Sequence, residues 1–416
     1  METTDILVVG AGAAGLFAAT WAGRTAQAAD PASPRPRILV VDGARKLGAK
    51  ILVAGGGRCN VTHHAVSEAD YAGGTPAAIR KVLRRFPVAD TIRFFEEAGV
   101  ALKQEDTGKL FPVTDSARTV LEALIAETTK AGVEIRHPAR VTALEATADG
   151  FVVATDAGPI AARRVILCTG GKSLPKSGSD GGGFVLAQSL GHSLAEPLVP
   201  ALVPLVLETG HWITALSGLT LPTTVTLATA TGKRLFATTG STLCTHVGLS
   251  GPAVLDISRH WLIARHADPT VSLSLNWLPG MTTEDCDRLL VEGQRRGAVA
   301  VLRDHVTDRL ARTLCELAGA PASGDMPRDA RRKLAALATA TPLPVVGDRG
   351  FAVAEATAGG VPLTEVRLET MESRICPGLF FAGEVLDVDG RIGGFNFQWA
   401  WASGFVAGST AAKCGA

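Results

Sequence analysis

The run Ile6-Leu7-Val8-Val9-Gly10-Ala11-Gly12-Ala13-Ala14-Gly15-Leu16-Phe17 decides how the rest of the chain is read. Four apolar residues end on Gly10, and the spacing Gly10-x-Gly12-x-x-Gly15 leads into an apolar, alanine-rich stretch. That order is strand, tight turn, helix. Each glycine has its own task in such a turn. Gly10 permits the reversal, Gly12 lets a pyrophosphate approach the backbone, and Gly15 lets the helix lie against the strand. The helix opens at Ala13 and Ala14, where N–H groups without intrahelical partners face a phosphate. Alone, this spacing says only that a nucleotide binds.

Outward from the turn, a polar, proline-bearing loop is expected at 30–36. The run Arg37-Ile38-Leu39-Val40-Val41-Asp42 follows and reads as a parallel strand buried on both faces. Asp42, at its end, is the candidate for the ribose hydroxyls. Helices are expected over 89–98, and from a cap at Ser116 to a stop at Gly132. Short β segments fill 133–167. The last of them, 164–168, returns to the parallel sheet and ends in Thr169-Gly170-Gly171. From about 196 the texture becomes β-rich, with a turn at Thr231-Gly232-Lys233. Residues 283–340 read as helical, and a final helix is expected near 397–412. The fold class is α/β. Residues 1–194 form the first part of a nucleotide-binding domain and 350–416 the second. An insert at 195–349 separates them, β-rich over 195–280 and mainly helical over 281–349.

Composition narrows the partners. A formal net charge of +1 gives no strong field toward nucleic acid or an anionic membrane. The uncharged run 6–23 is too glycine-rich, and too well matched to nucleotide-binding spacing, for a membrane span or signal peptide. No other stretch compares with it, so a soluble protein without a membrane role is expected. Seven scattered cysteines, none spaced as CxxC, offer no disulfide framework and no metal site, and they suit a reducing cytoplasm. No stable protein partner is deducible.

A second glycine block changes the reading. Gly378-Leu379-Phe380-Phe381-Ala382-Gly383-Glu384 is followed by Gly393-Gly394-Phe395-Asn396-Phe397-Gln398. Gly383 admits a ribityl chain close to the backbone, and Glu384 is placed to hydrogen-bond it. Gly393, Gly394 and Asn396 open the last helix, whose positive end suits the negative charge of a reduced flavin ring. The pair of blocks therefore points to FAD. Between them lies Gly55-Gly56-Gly57-Arg58-Cys59-Asn60, with backbone able to lie flat against a ligand. Gly57, Arg58, Cys59 and Asn60 join the FAD candidates, with Arg58 aimed at a phosphate or flavin carbonyl. Cys59 is either a redox thiol activated by its arginine neighbour or a small buried residue packing beside the cofactor. His246, in Thr245-His246-Val247-Gly248-Leu249-Ser250-Gly251-Pro252, is a candidate proton donor, although a lone histidine is more often structural. No second complete GxGxxG occurs, so NAD(P)H is expected only as a transient electron donor.

Several of these strings are more specific than GxGxxG. The chain resembles the BaiN/RdsA-like family of bacterial flavoproteins, also labelled aminoacetone-oxidase-like. The likeness runs through the Gly10 turn, the block from Gly55 to Thr62, Phe111-Pro112, Thr169-Gly170-Gly171 and Gly191-His192. It continues through Pro200-Ala201-Leu202-Val203-Pro204, Thr245 to Pro252, the run from Ala358 to Val361, and Met371 to Gly404. It implies a Rossmann-like FAD-binding domain of the glutathione-reductase type interrupted by an insert. It also implies FAD contacts at Gly12, Asp42, Arg58, Gly383, Glu384 and Asn396. Asp42 stands where the family usually has glutamate, and Phe395 and Phe397 stand where many relatives show tyrosine and leucine, which marks a subgroup.

The resemblance implies flavin hydride chemistry. The leading expectation is NAD(P)H-dependent reduction of an activated C=C bond, in a ribosomal RNA uridine or in a small conjugated carbonyl compound. The substrate is expected to meet the ring at the insert. Arg295, Arg296, Arg331, Arg332 and Lys333 would grip an RNA. The alternatives are an amine oxidase acting on a small amine such as aminoacetone, and a flavin redox sensor without turnover.

Overall fold

The structure, a computed structural model, describes residues 1–29, 34–321 and 326–413. Part of the loop expected at 30–36 therefore lies outside the described residues, as does Cys414. The chain forms two compact units, Met1–Pro200 with Ala354–Ala416, and Ala201–Val353.

In the first unit, β1 (Glu2–Val9) is flanked in parallel by β2 (Ile38–Val41) and the strand Ile160–Leu167. Parallel strands Glu134–Arg136 and Leu379–Phe381 lie outside these two. The short strands Glu372–Ser373 and Val366–Arg367 extend one side, and a meander of Val141–Thr147 and Gly150–Thr155 joins Ile160–Leu167. Ile6, Leu7, Val8, Leu39, Val40 and Val41 are fully buried, as all-apolar parallel strands covered on both faces should be. The returning strand starts at Ile160, earlier than the segment 164–168 read from the sequence. Its first half, Ile160-Ala161-Ala162-Arg163, holds two alanines of low β-propensity and an arginine, which hides it from a hydrophobicity reading.

α1 (Ala13–Ala28) follows the turn, and the C-terminal helix Phe395–Lys413 packs along it. Small residues make this possible: a Cβ on Gly408 would lie 2.0 Å from the Ala18 carbonyl oxygen, and one on Gly404 would lie 2.9 Å from that of Ala14. Phe17, Phe86, Phe94 and Trp401 interlock around this contact with ring centroids 4.7–5.2 Å apart, a favourable edge-to-face or tilted arrangement. The helix Ala117–Lys130 also docks on α1, through the hydroxyl pair Thr20–Thr128. Ser116 stands at its start as expected, but its side chain makes no capping bond; its backbone carbonyl takes the Thr119 N–H instead. The strand Ala195–Ala201 pairs with Ala356–Gly360, which keeps residues 195–200 with this unit.

The second unit carries a seven-stranded sheet, antiparallel throughout, around the long hairpin Thr220–Ala228 and Arg234–Thr245. The hairpin turns at Gly232, whose φ of 84° suits glycine. Helices Thr283–Glu292, Asp308–Ala318 and Arg328–Ala340 occupy the stretch read as helical. A further helix, Pro252–Ala267, interrupts the stretch read as β-rich. Pro252 at its first position is the signal that marks it.

Candidate functional site

The first turn is built as its glycines require. Gly10 has φ +101°, and a Cβ there would lie 2.6 Å from the Cys168 carbonyl oxygen. A Cβ on Gly15 would lie 1.8 Å from the Gly10 oxygen, so only glycine lets α1 start this close to the turn. Gly12 differs: nothing lies within 4 Å of the place its Cβ would take. That open side, at the amino end of α1 before Ala13 and Ala14, is where an anionic group can reach the backbone. Asp42 braces the turn, its carboxylate accepting from Ala11 N at 2.6 Å and Ala44 N at 2.7 Å. Each oxygen keeps a lone pair for a sugar hydroxyl.

Beside the turn lie two buried polar atoms without partners among the described residues, Thr169 Oγ1 and Ser179 Oγ, and Asn60 Oδ1 in the Gly55 loop is a third. Leaving such an atom unpaired costs about 1–3 kcal/mol, so a polar ligand that pairs with it is favoured. Glycine keeps space around two of them. A Cβ on Gly183 would meet Thr169 Oγ1 at 1.7 Å, and one on Gly170 would meet Ser179 Oγ at 2.8 Å. An open glycine turn, a braced carboxylate and orphaned hydroxyls together fit a dinucleotide such as FAD.

The second glycine block comes to the same place. Gly383, with φ +78°, sits so close to α1 that a Cβ would lie 2.7 Å from that of Ala14. Glu384 is held on both oxygens, by Lys50 Nζ at 2.5 Å and Ser173 Oγ at 2.8 Å. Lys50 also donates to Ser173 Oγ at 2.7 Å, and Thr357 Oγ1 accepts from the backbone N–H groups of Lys172 and Ser173. Glu355, one residue before the strand bearing Thr357, is open to solvent. Crowding on its other sides still desolvates its carboxyl and raises its pKa, with Lys109 and Lys50 pulling the other way. Lys50, Ser173, Ser179, Glu355 and Thr357 escape a sequence reading. They come from three separate stretches, around 50, 173–179 and 355–357, and only the glycines near Lys50 and Ser173 hint at their place.

Gly393 and Gly394 lead into the C-terminal helix, with φ of 136° and 92°. A Cβ on Gly394 would lie 2.7 Å from the Thr62 backbone. Asn396 spends its side chain locally, accepting from Gly390 N and donating to Gly390 O. His63 stacks on Phe395 with centroids 4.9 Å apart. In the Gly55 loop, Gly55, Gly56, Gly57 and Cys59 all have positive φ. The loop therefore leaves the preceding helix as a left-handed turn that glycine accommodates.

Three expectations need correction or relocation. Cys59 is fully buried, and burial pushes its thiol up to about 12. It stays protonated at neutral pH, and Arg58 does not activate it. The Arg58 guanidinium instead pairs with Glu105 at 2.6 Å and lies 4.0 Å over Phe111. His246 is exposed in the turn between Arg234–Thr245 and Gly248–Ser250, in the second unit. The glycines of its motif serve packing: Cβ atoms on Gly248 and Gly251 would strike Leu205 O and Ser241 O at 2.2 and 2.8 Å. His192 is buried between Glu365 and Ser373, both at 2.8 Å, a structural tie. Among the described residues no cluster of metal-ligating side chains occurs, and no helix is long and apolar enough to cross a membrane.

The model for the HI0933-like protein Rossmann domain matches residues 4–410. The chain belongs to the HI0933-like family. It is 35% identical to a 3-dehydro-bile acid delta(4,6)-reductase of Clostridium scindens, over 98% of each chain. It is 33% identical to a ribosomal RNA dihydrouridine synthase of Escherichia coli, over 98% of this chain and 97% of that one. In fold it resembles the 3-ketosteroid delta1-dehydrogenase of Sterolibacterium denitrificans, with a TM-score of 0.52 at 13% identity over the full length of both. The HI0933-like chain is thus an FAD-dependent oxidoreductase with a Rossmann-type nucleotide-binding domain.

Proposed function

We propose that this protein reduces a C=C bond conjugated to a carbonyl group, with NAD(P)H as the electron donor, and that a uridine of ribosomal RNA is the first substrate to test. One observation carries the reading. The chain spans, end to end, two relatives whose names describe the same bond chemistry on different molecules, a bile acid and an RNA base. A dihydrouridine is a uridine whose ring C=C has been reduced, and that bond is conjugated to a carbonyl, as in a 3-keto diene.

The site supports this reading. Gly12, Thr169 and Ser179 would hold the pyrophosphate end of FAD, Asp42 a ribose, and Gly383 and Glu384 the ribityl chain. When bound and reduced, FAD supplies a hydride from N5. The chain lacks a second nucleotide-binding turn, so NAD(P)H would visit the flavin and leave. Of the five cations expected to grip RNA, Arg296 is occupied by Asp304 and Arg331 by Asp287. Arg295, Arg332 and Lys333 carry that part of the reading. The six described cysteines are free and buried, which fits a reducing cytoplasm.

The test is mass spectrometry of ribosomal RNA from a strain lacking the gene. Loss of dihydrouridine, restored by the intact gene, supports the RNA substrate; an unchanged profile removes it. Anaerobic NADPH or NADH should bleach the flavin absorbance of the purified holoprotein. If neither does and an amine does, the reductase reading fails.

A further inference from the structure

Resting on that reading, we infer that Glu355 is the acid that protonates the substrate, and that Lys50 is a positioning residue kept away from it by Glu384. Reduction of a carbonyl-conjugated C=C bond needs a hydride at the β-carbon and a proton at the α-carbon. The hydride derives from NAD(P)H. The proton must come from a side chain with solvent access, near the end of the cofactor where the ribityl chain joins the ring, and protonated when the substrate arrives.

Glu355 has the access and the backbone placement, and desolvation of its carboxyl raises its pKa toward the acid form. Its side chain is exposed, and none of the described residues makes a hydrogen bond to its carboxyl. Its backbone is fixed at the Glu384 cluster, because Ser173 Oγ points at the Glu355 carbonyl oxygen at 3.4 Å while also reaching Glu384. Two residues on, Thr357 anchors the same strand to Lys172 and Ser173. The charged groups facing Glu355 are Lys109 and Lys50.

A free lysine beside a carboxylic acid would form an ion pair and ionise it. Lys50 is not free: two of its three N–H donors go to Glu384 and Ser173. Glu384 thereby offsets the charge of one of the two cations facing Glu355, which weakens its pull toward ionisation. Crowding around the Glu355 carboxyl acts in the same direction. In the step itself the O–H bond of Glu355 breaks, its electron pair stays on the carboxylate, and a C–H bond forms at the α-carbon. The carboxylate is reprotonated from water. Cys59, buried to the last atom, offers no such access.

The experiment uses the FAD-loaded protein with NADPH and two probes: a conjugated steroid dienone, and ribosomal RNA from the deletion strain. For Glu355→Gln, bleaching of the flavin by NADPH should stay within about twofold of wild type, while probe reduction falls by about 10²-fold or more. Glu355→Asp should recover part of the loss. The infrared carbonyl band of a protonated carboxyl should be present in the resting protein at neutral pH and lost in Glu355→Gln. Because activity requires the acid form, it falls as pH rises through the pKa of Glu355. Lys50→Met removes a positive neighbour, raises that pKa and moves this alkaline limb to higher pH. Undiminished probe reduction by Glu355→Gln, or an infrared band unchanged by it, overturns the role of Glu355 alone. A wild-type protein that bleaches with NADPH and reduces neither probe overturns the function proposed above, and the role of Glu355 with it.

Discussion

Lys50 Nζ lies 2.5 Å from Glu384 Oε2, joining the helix after the second strand to the turn before the last helix. Both side chains are mostly shielded, at 26% and 18% exposure, so the bond is worth more than a surface ion pair. Lys50→Ala leaves a half-buried carboxylate with Ser173 as its remaining side-chain partner. We expect a loss of about 1–3 kcal/mol in stability and weaker retention of FAD. Thermal unfolding and the flavin-to-protein absorbance ratio check both.

Gly12 and Gly15 separate ligand space from packing space. Gly12→Ala adds a methyl group where no protein atom lies within 4 Å. The FAD-free protein should keep its stability to within about 1 kcal/mol, while FAD affinity drops by about tenfold or more. Gly15→Ala drives a Cβ into the Gly10 carbonyl and should cost about 2 kcal/mol or more even without FAD. Calorimetric FAD titration and melting of the FAD-free protein give the two readouts. Equal melting losses in both variants would show that Gly12 is also a packing position.

Gln398 ties the start of the C-terminal helix to two other elements. Its Oε1 accepts from Thr62 and Thr91 at 2.7 and 2.9 Å, and its Nε2 donates to Phe86 O at 2.8 Å. The side chain is 1% exposed. Gln398→Leu keeps the volume but orphans all three partners, with an expected loss of about 3 kcal/mol. Urea unfolding measures it; a loss below about 1 kcal/mol would mean that the three partners find replacements.

Glu2 sets an acid limb to stability. Hydrogen bonds from Arg136 and then Arg37 hold its carboxyl down at about 2, against 4.5 for a free glutamate. A depressed carboxyl pKa stabilises the folded state fully above the free value, and that contribution fades as pH falls from 4.5 toward 2. Glu2→Gln should lower stability at neutral pH, where that contribution is full, and flatten stability against pH between 4.5 and 2. The site is exposed, so added salt should shrink the effect. Urea midpoints across this pH range, at low and high salt, test it.

The first turn, the parallel strands and the helices near 89–98 and 117–130 were legible because their signals are local. A run of buried apolar residues, a glycine at a fixed spacing and a 3.6-residue period each depend on only a few neighbours in sequence. The same locality explains the misses. The helix Pro252–Ala267 sits inside a β-rich texture with only Pro252 at its first position to mark it, and the strand from Ile160 opens with two alanines of low β-propensity, so tertiary packing decides both.

The sequence by itself determined that a nucleotide turn, a flavin-type second block and an interrupting insert occur in one chain, since glycine spacing and apolar runs state backbone requirements directly. Only the tertiary structure decided which side chains have room, partners and solvent. It buried Cys59, turned Arg58 onto Glu105 and Phe111, and left Thr169 and Ser179 unpaired beside the turn. It also gathered Lys50, Ser173, Glu355 and Glu384 from segments up to 334 residues apart. Desolvation and charge neutralisation depend on distance in space, and those distances are set when the last helix closes onto the first.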